Sequence, residues 1–255
     1  MNNSYGNYHQ RRWRRLPRCW KTLKIKKMNS KTSKFASAAI ALAALTLLCL
    51  FALHLLSPDF DPSWRMVSEY ARGKYRWLLS LMFGSWALST WMLVLAIVSA
   101  PGITRSKAGL IFLAISGLGE AMASVCDIDH PLHDLAGMFG ILGLPIGALL
   151  VSRNLRGQPA GAKAASSLRR MANLTWISLL IFVGSMVIMY IQFTRAGGQV
   201  SPHVTQLPKG VTGLNGWANR LLILVYCSWT MTAAQFISQL PPKEFPYETA
   251  SIQGY

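Results

Sequence analysis

The stretch FASAAIALAALTLLCLFALHLL, residues 35–56, runs for 22 residues without an acid, lysine or arginine. A helix rises about 1.5 Å per residue, so about 20 apolar residues cross a hydrocarbon core of about 30 Å. Five more segments of similar length and apolarity follow, at 77–100, 108–126, 134–151, 174–193 and 218–238. None alternates with period two as a barrel strand would, and only helices and closed barrels satisfy their own backbone in lipid. The sequence therefore predicts an all-α integral membrane six-helix bundle over residues 35–240. It is flanked by a basic tail, 1–34, and a second tail, 241–255.

Charge supplies the orientation. The chain carries 26 Lys+Arg against 9 Asp+Glu, a balance that in a soluble protein points to nucleic acid. Here the basic residues follow the spans instead. Eleven lie between Arg11 and Lys34, and others sit at Arg105 and Lys107, at Arg153, Arg156, Lys163, Arg169 and Arg170, and at Lys243. Basic loops mark cytoplasmic ends, which places the N- and C-termini in the cytoplasm and makes nucleic acid an unneeded partner. The tail sequence RRWRRLPRCWKTLKIKK (11–27) reads as an unstructured segment able to hold anionic lipid at about 1 kcal/mol per basic residue. Met28 opens an equally good start for an N-in span, so Met1 and Met28 both stand as start sites, and no cleaved signal peptide is expected. Cys19, Cys49, Cys126 and Cys227 form no C-x-x-C pair, and buried packing is the expectation for the last three.

Most of the ionisable groups that could carry chemistry gather on the opposite side. His54, His130, His133 and His203 fall there, with Asp59, Asp61, Glu69, Glu120, Asp127, Asp129 and Asp134. In the first outer loop Asp61 and Pro62 signal a helix start, predicting an amphipathic surface helix over 62–72 anchored by Trp64, Val67 and Tyr70. Ser68 and Glu69 lie within it; Glu69 is either a pocket ligand or an ion-pair partner of Arg65 or Arg72. Glu120 lies inside the third apolar segment, where a carboxylate must pair, protonate or face water, and Arg220 is its candidate structural partner. A spacing of seven puts Glu120 and Asp127 on one helix face. The connection DIDHPLHDLAG (127–137) offers Asp127, His130 and His133 as possible ligands for zinc or manganese, although the spacing matches no zinc signature. The bland reading makes Asp129 the cap of the fourth helix and Asp134 a partner of its dipole. No cofactor is otherwise indicated.

The remaining landmarks read as architecture. Glycines 117, 119, 137, 140, 143 and 147 let the third and fourth spans pack closely. Pro145 interrupts the fourth. The Gly/Ala/Ser-rich stretch 154–172 reads as a mobile loop.

The order of HLLSPDFDP, VSEYARGKYRWLLSLMF and DHPLHDLAG resembles the bacterial and archaeal six-span family called domain of unknown function 998, over residues 36–240. More distantly it is similar to the eukaryotic group of damage-regulated autophagy modulators, which are linked to lipid remodelling. The resemblance implies a six-span bundle in a bacterial cytoplasmic membrane and draws Ser68, Glu69 and His133 toward function. The leading expectation is a protein that binds a lipid or small amphiphile in a polar pocket opening to the outer face, lined by Ser68, Glu69, Glu120, Asp127, His133 and Asp134. A lipid hydrolase or acyl-transfer enzyme using Ser68, Glu69 and His133 is the alternative, and a proton-coupled transporter working through Glu120 the second.

Overall fold

The computed structural model describes residues 30–156, 162–197, 204 and 206–240. Residues 1–29 and 241–255, which hold most of the basic tail and the second tail, lie outside the described residues, as do 157–161 and His203. Six long helices follow one another: α1 (Ser30–Leu56), α2 (Arg76–Ser99), α3 (Lys107–Val125), α4 (His133–Leu155), α5 (Ala162–Arg195) and α6 (Asn215–Ser238). There is no strand among the described residues, and all six helices are long and apolar enough to cross a membrane. Large apolar side chains such as Phe51, Leu180 and Ile188 lie exposed on the outside. Water would not tolerate that surface, whereas lipid tails match it. The chain is a multi-pass membrane protein.

Neighbouring helices run antiparallel, and α6 returns to pack on α1. The upper end of the bundle thus collects the starts of α2, α4 and α6 with the ends of α1, α3 and α5. Helix α5 starts at Ala162, so most of the stretch expected as a loop over 154–172 is helix. Its alanines and paired serines carry no helix breaker beyond Gly161.

Lipid offers helices no hydrophobic gain on pairing, so small residues and hydrogen bonds hold them together. On α1, Ala36, Ala39 and Ala43 are fully buried against the bundle. Thr32 donates to the Ser99 carbonyl at 2.9 Å, Ser89 donates to the Ala39 carbonyl at 2.8 Å, and the Thr46 and Ser85 hydroxyls meet at 2.9 Å. Between α3 and α4 the device is glycine. A Cβ at Gly119 would overlap the Gly140 nitrogen and the Ala136 carbonyl, and one at Gly143 would lie 2.9 Å from the Phe112 carbonyl. Two of the glycines expected at this contact act elsewhere or not at all. Gly117 makes room for the Trp91 indole of α2, and nothing lies within 4 Å of a Cβ at Gly137.

Helix α4 continues through Pro145. Proline has no N–H, so the carbonyl four residues earlier, that of Ile141, loses its helical donor. The Tyr226 hydroxyl of α6 supplies one, donating to the Ile141 carbonyl at 2.8 Å. The break in α4 is thereby repaired across the bundle.

Two outcomes follow for thermal unfolding in detergent. Gly119→Ala should cost about 1–3 kcal/mol by overpacking, while Gly137→Ala should stay within about 0.5 kcal/mol. Tyr226→Phe should cost about 1–2 kcal/mol by orphaning a buried carbonyl. Most of that cost should vanish in a Pro145→Ala background, where the new N–H serves Ile141; equal costs in both backgrounds would show that the hydroxyl acts elsewhere.

Candidate functional site

The chain from Ser57 to Tyr75 folds back over the upper end of α6. Gly216 donates its N–H to the Ser63 carbonyl at 3.1 Å, and a Cβ there would overlap the carbonyl of Pro62. Arg220, buried one turn further on, donates to the Arg65 carbonyl at 2.9 Å, the Gly216 carbonyl at 2.9 Å and the Tyr70 hydroxyl at 2.8 Å. Its hydrogen-bond partners are all neutral oxygens. The predicted surface helix is corrected here. Only Val67–Arg72 is helical, as a short 3-10 turn, and Val67 and Tyr70 are 1% exposed. These side chains face inward because Arg220 and the Asn219 carboxamide, which accepts from the Val67 N–H at 3.0 Å, pull the turn onto α6.

The acids of this region are largely spent on the same architecture. Glu69 accepts from Arg65 Nη1 at 3.0 Å and from the Met66 N–H at 2.9 Å, so of its two expected partners it takes Arg65. Arg72 instead pairs with Asp129 at 2.6 Å, which raises its pKa further and ties the loop to the α3–α4 connection. Asp129 therefore does not cap α4, whose N-cap position is Leu132 with no side-chain cap. Hydrogen bonds from Ser63 hold the Asp61 carboxyl below its ordinary range.

Beneath this roof lies a cavity of about 390 Å³ bounded by α2, α3, α4, α5 and α6. Met66 and Ser68 of the roof line it, with Glu120, His133, Asp134 and Asn219 as its other principal polar side chains. The rest of the wall is mainly apolar and includes Phe83, Trp86, Ile141, Leu179, Phe182 and Ile223. On one side the wall also forms the outer surface. Met138 and Leu142 of α4 are 58% and 43% exposed, and Val183 and Met186 of α5 are 46% and 38% exposed.

Glu120 is 3% exposed at the inner wall. Its carboxylate accepts from Thr90 of α2 at 2.8 Å and from Ser116 one turn back at 3.0 Å. Arg220, its expected partner, is occupied by the roof instead. Each hydroxyl also lies within reach of a second acceptor, the Trp86 and Gly140 carbonyls respectively. Only one proton is available per hydroxyl, so the network has alternative arrangements. Trp86, 5% exposed and also lining the cavity, keeps its indole N–H without an acceptor.

His133, the first residue of α4, meets the Cys126 carbonyl through Nδ1 at 3.1 Å. A carbonyl only accepts, which fixes the proton on Nδ1 and leaves Nε2 open. Of the six residues expected in the pocket, Ser68, Glu120, His133 and Asp134 line the cavity, and Glu69 and Asp127 do not. Asp127 follows the end of α3 and lines a separate recess with Arg76, Ser80 and Ser124. His130 Nδ1 accepts from the Leu132 N–H at 3.1 Å. Among the described residues no three His, Cys, Asp or Glu side chains form a set that could hold a metal ion. Asn219, Thr90 and Trp86 are site residues the sequence did not single out. Uncharged polar groups in apolar helices carry no signal of their own until the helices are assembled.

No curated protein and no solved structure gives a significant match to the chain. A family model described as "Protein of unknown function (DUF998)" matches residues 40–235. That span takes in nearly all of the bundle, including every residue of the cavity, and the chain belongs to this family of six-span membrane proteins.

Proposed function

We propose that the protein holds a lipid or small amphiphile, apolar chain outward between α4 and α5 and polar end under the roof formed by Met66 and Ser68. One observation carries the reading. Met138, Leu142, Val183 and Met186 line the cavity and also lie on the surface that faces lipid tails, so an amphiphile reaches the site without leaving the bilayer. A volume near 390 Å³ sits at the lower end of the range of about 300–1,000 Å³ usual for ligand sites, which suits a single-chain molecule. Glu69, counted among the polar groups at first, serves the roof instead.

An acyl-transfer or hydrolytic role draws support from Ser68 and His133 lining one cavity with Nε2 open. It ranks second because no hydrogen bond joins the imidazole to the Ser68 hydroxyl, the contact that would activate a nucleophile. The location proposed is the bacterial cytoplasmic membrane, with both termini inside and anionic lipid as the partner of the basic N-terminal tail.

Native mass spectrometry of the purified protein should show a retained lipid or amphiphile. Val183→Trp combined with Leu142→Trp, which fills the lipid-facing opening, should lose the adduct while remaining folded. Absence of any adduct from the unaltered protein across several detergents and lipid discs would sink the reading. For orientation, a membrane-impermeant maleimide should label Ser63→Cys on intact cells and Ser166→Cys only after permeabilisation; the reverse pattern inverts the topology.

A further inference from the structure

The cavity's ionisable lining is one-sided: two acids, Glu120 and Asp134, and the His133 imidazole line it, and no lysine or arginine does. The nearby arginines are held in the roof: Arg65 by Glu69 and the Val204 carbonyl, Arg72 by Asp129, and Arg220 by Tyr70 and backbone carbonyls. His133 turns Nδ1 to the Cys126 carbonyl, so the open Nε2 is the ring nitrogen left for a ligand. A phosphate or sulfate head placed here would meet two acids in a poorly screening medium with no cation to offset them. An ammonium head would meet acceptors at each turn, beside the aromatic rings of Phe83 and Phe182.

Resting on the amphiphile reading above, we infer that the ligand is a single-chain amphiphile with an amine head, its ammonium group held by Asp134 and Glu120. A charge contact beside an apolar wall discriminates heads on equal chains.

Chain-matched probes test it on the full-length protein in lipid discs: 2-aminododecan-1-ol, dodecan-1-ol and dodecyl phosphate, with affinities read by native mass spectrometry titration. The amino alcohol should bind at least about ten-fold tighter than the alcohol, and the phosphate more weakly than either. In Glu120→Gln with Asp134→Asn the amine-to-alcohol ratio should fall to about three-fold or less, while Asp59→Asn, an exposed acid away from the cavity, should leave it unchanged. The single change Asp134→Asn, on an exposed side chain, should narrow the ratio partway and guards against misfolding of the double variant. Equal binding of all three probes that still disappears on filling the opening with Val183→Trp and Leu142→Trp overturns the head-group assignment and leaves the amphiphile reading standing. Binding by none of them overturns both.

Discussion

The close approach of α3 to α4 at Gly119 and Gly140 is the constraint on which the rest of the bundle depends. Any side chain at Gly119 would drive into the backbone of α4. Because none is there, Glu120, the next residue, is pressed against α4, with its Cγ 3.7 Å from where a Gly140 Cβ would stand. The carboxylate then reaches Thr90 of α2 and Ser116 of its own helix. One small-residue contact thus decides which helices a buried acid can touch. In lipid such contacts carry more of the specificity than apolar burial, because tails solvate leucine as well as another leucine does.

A second constraint works at the upper end. Arg220 is buried with neutral acceptors for its guanidinium: backbone carbonyls and the Tyr70 hydroxyl. A planar fork of five donors can satisfy several carbonyls at once, which a lysine could not. The segment around Pro62 and Arg65 is thereby drawn over α6, and Met66 and Ser68 are brought to the cavity's rim. The pairs Arg65–Glu69 and Arg72–Asp129 finish the roof. Charges that looked available for chemistry are consumed in building it, which leaves Glu120 and Asp134 as the acids of the cavity.

Tyr226 shows how a local defect becomes a tertiary contact. Pro145 removes one helical donor from α4, and the orphaned Ile141 carbonyl is met from α6. Ile141 and Trp86, whose ring packs edge-on against Tyr226, both line the cavity. The repair of the broken helix and the wall of the site are one structure.

Length and apolarity alone determined the six spans, because crossing about 30 Å of hydrocarbon leaves a chain few alternatives. The same reading singled out Ser68, Glu120, His133 and Asp134, which line one cavity, since ionisable residues are rare enough in such a chain for their clustering to stand out, but it also included Glu69 and Asp127, which do not. It could not decide between partners. Arg65 and Arg72 lie four and three residues from Glu69, and spacing allowed either; the long-range pairing of Arg72 with Asp129 settled the choice. It placed Val67 and Tyr70 in lipid, because an amphipathic turn looks alike whether its apolar face meets a membrane or a helix end. Arg220 and Glu120 made a plausible ion pair until the fold gave one to carbonyls and the other to hydroxyls. Composition and period thus determined what crosses the membrane, while which buried polar group meets which was decided only by tertiary structure, since such bonds act over about 3 Å and depend on helix rotation and depth.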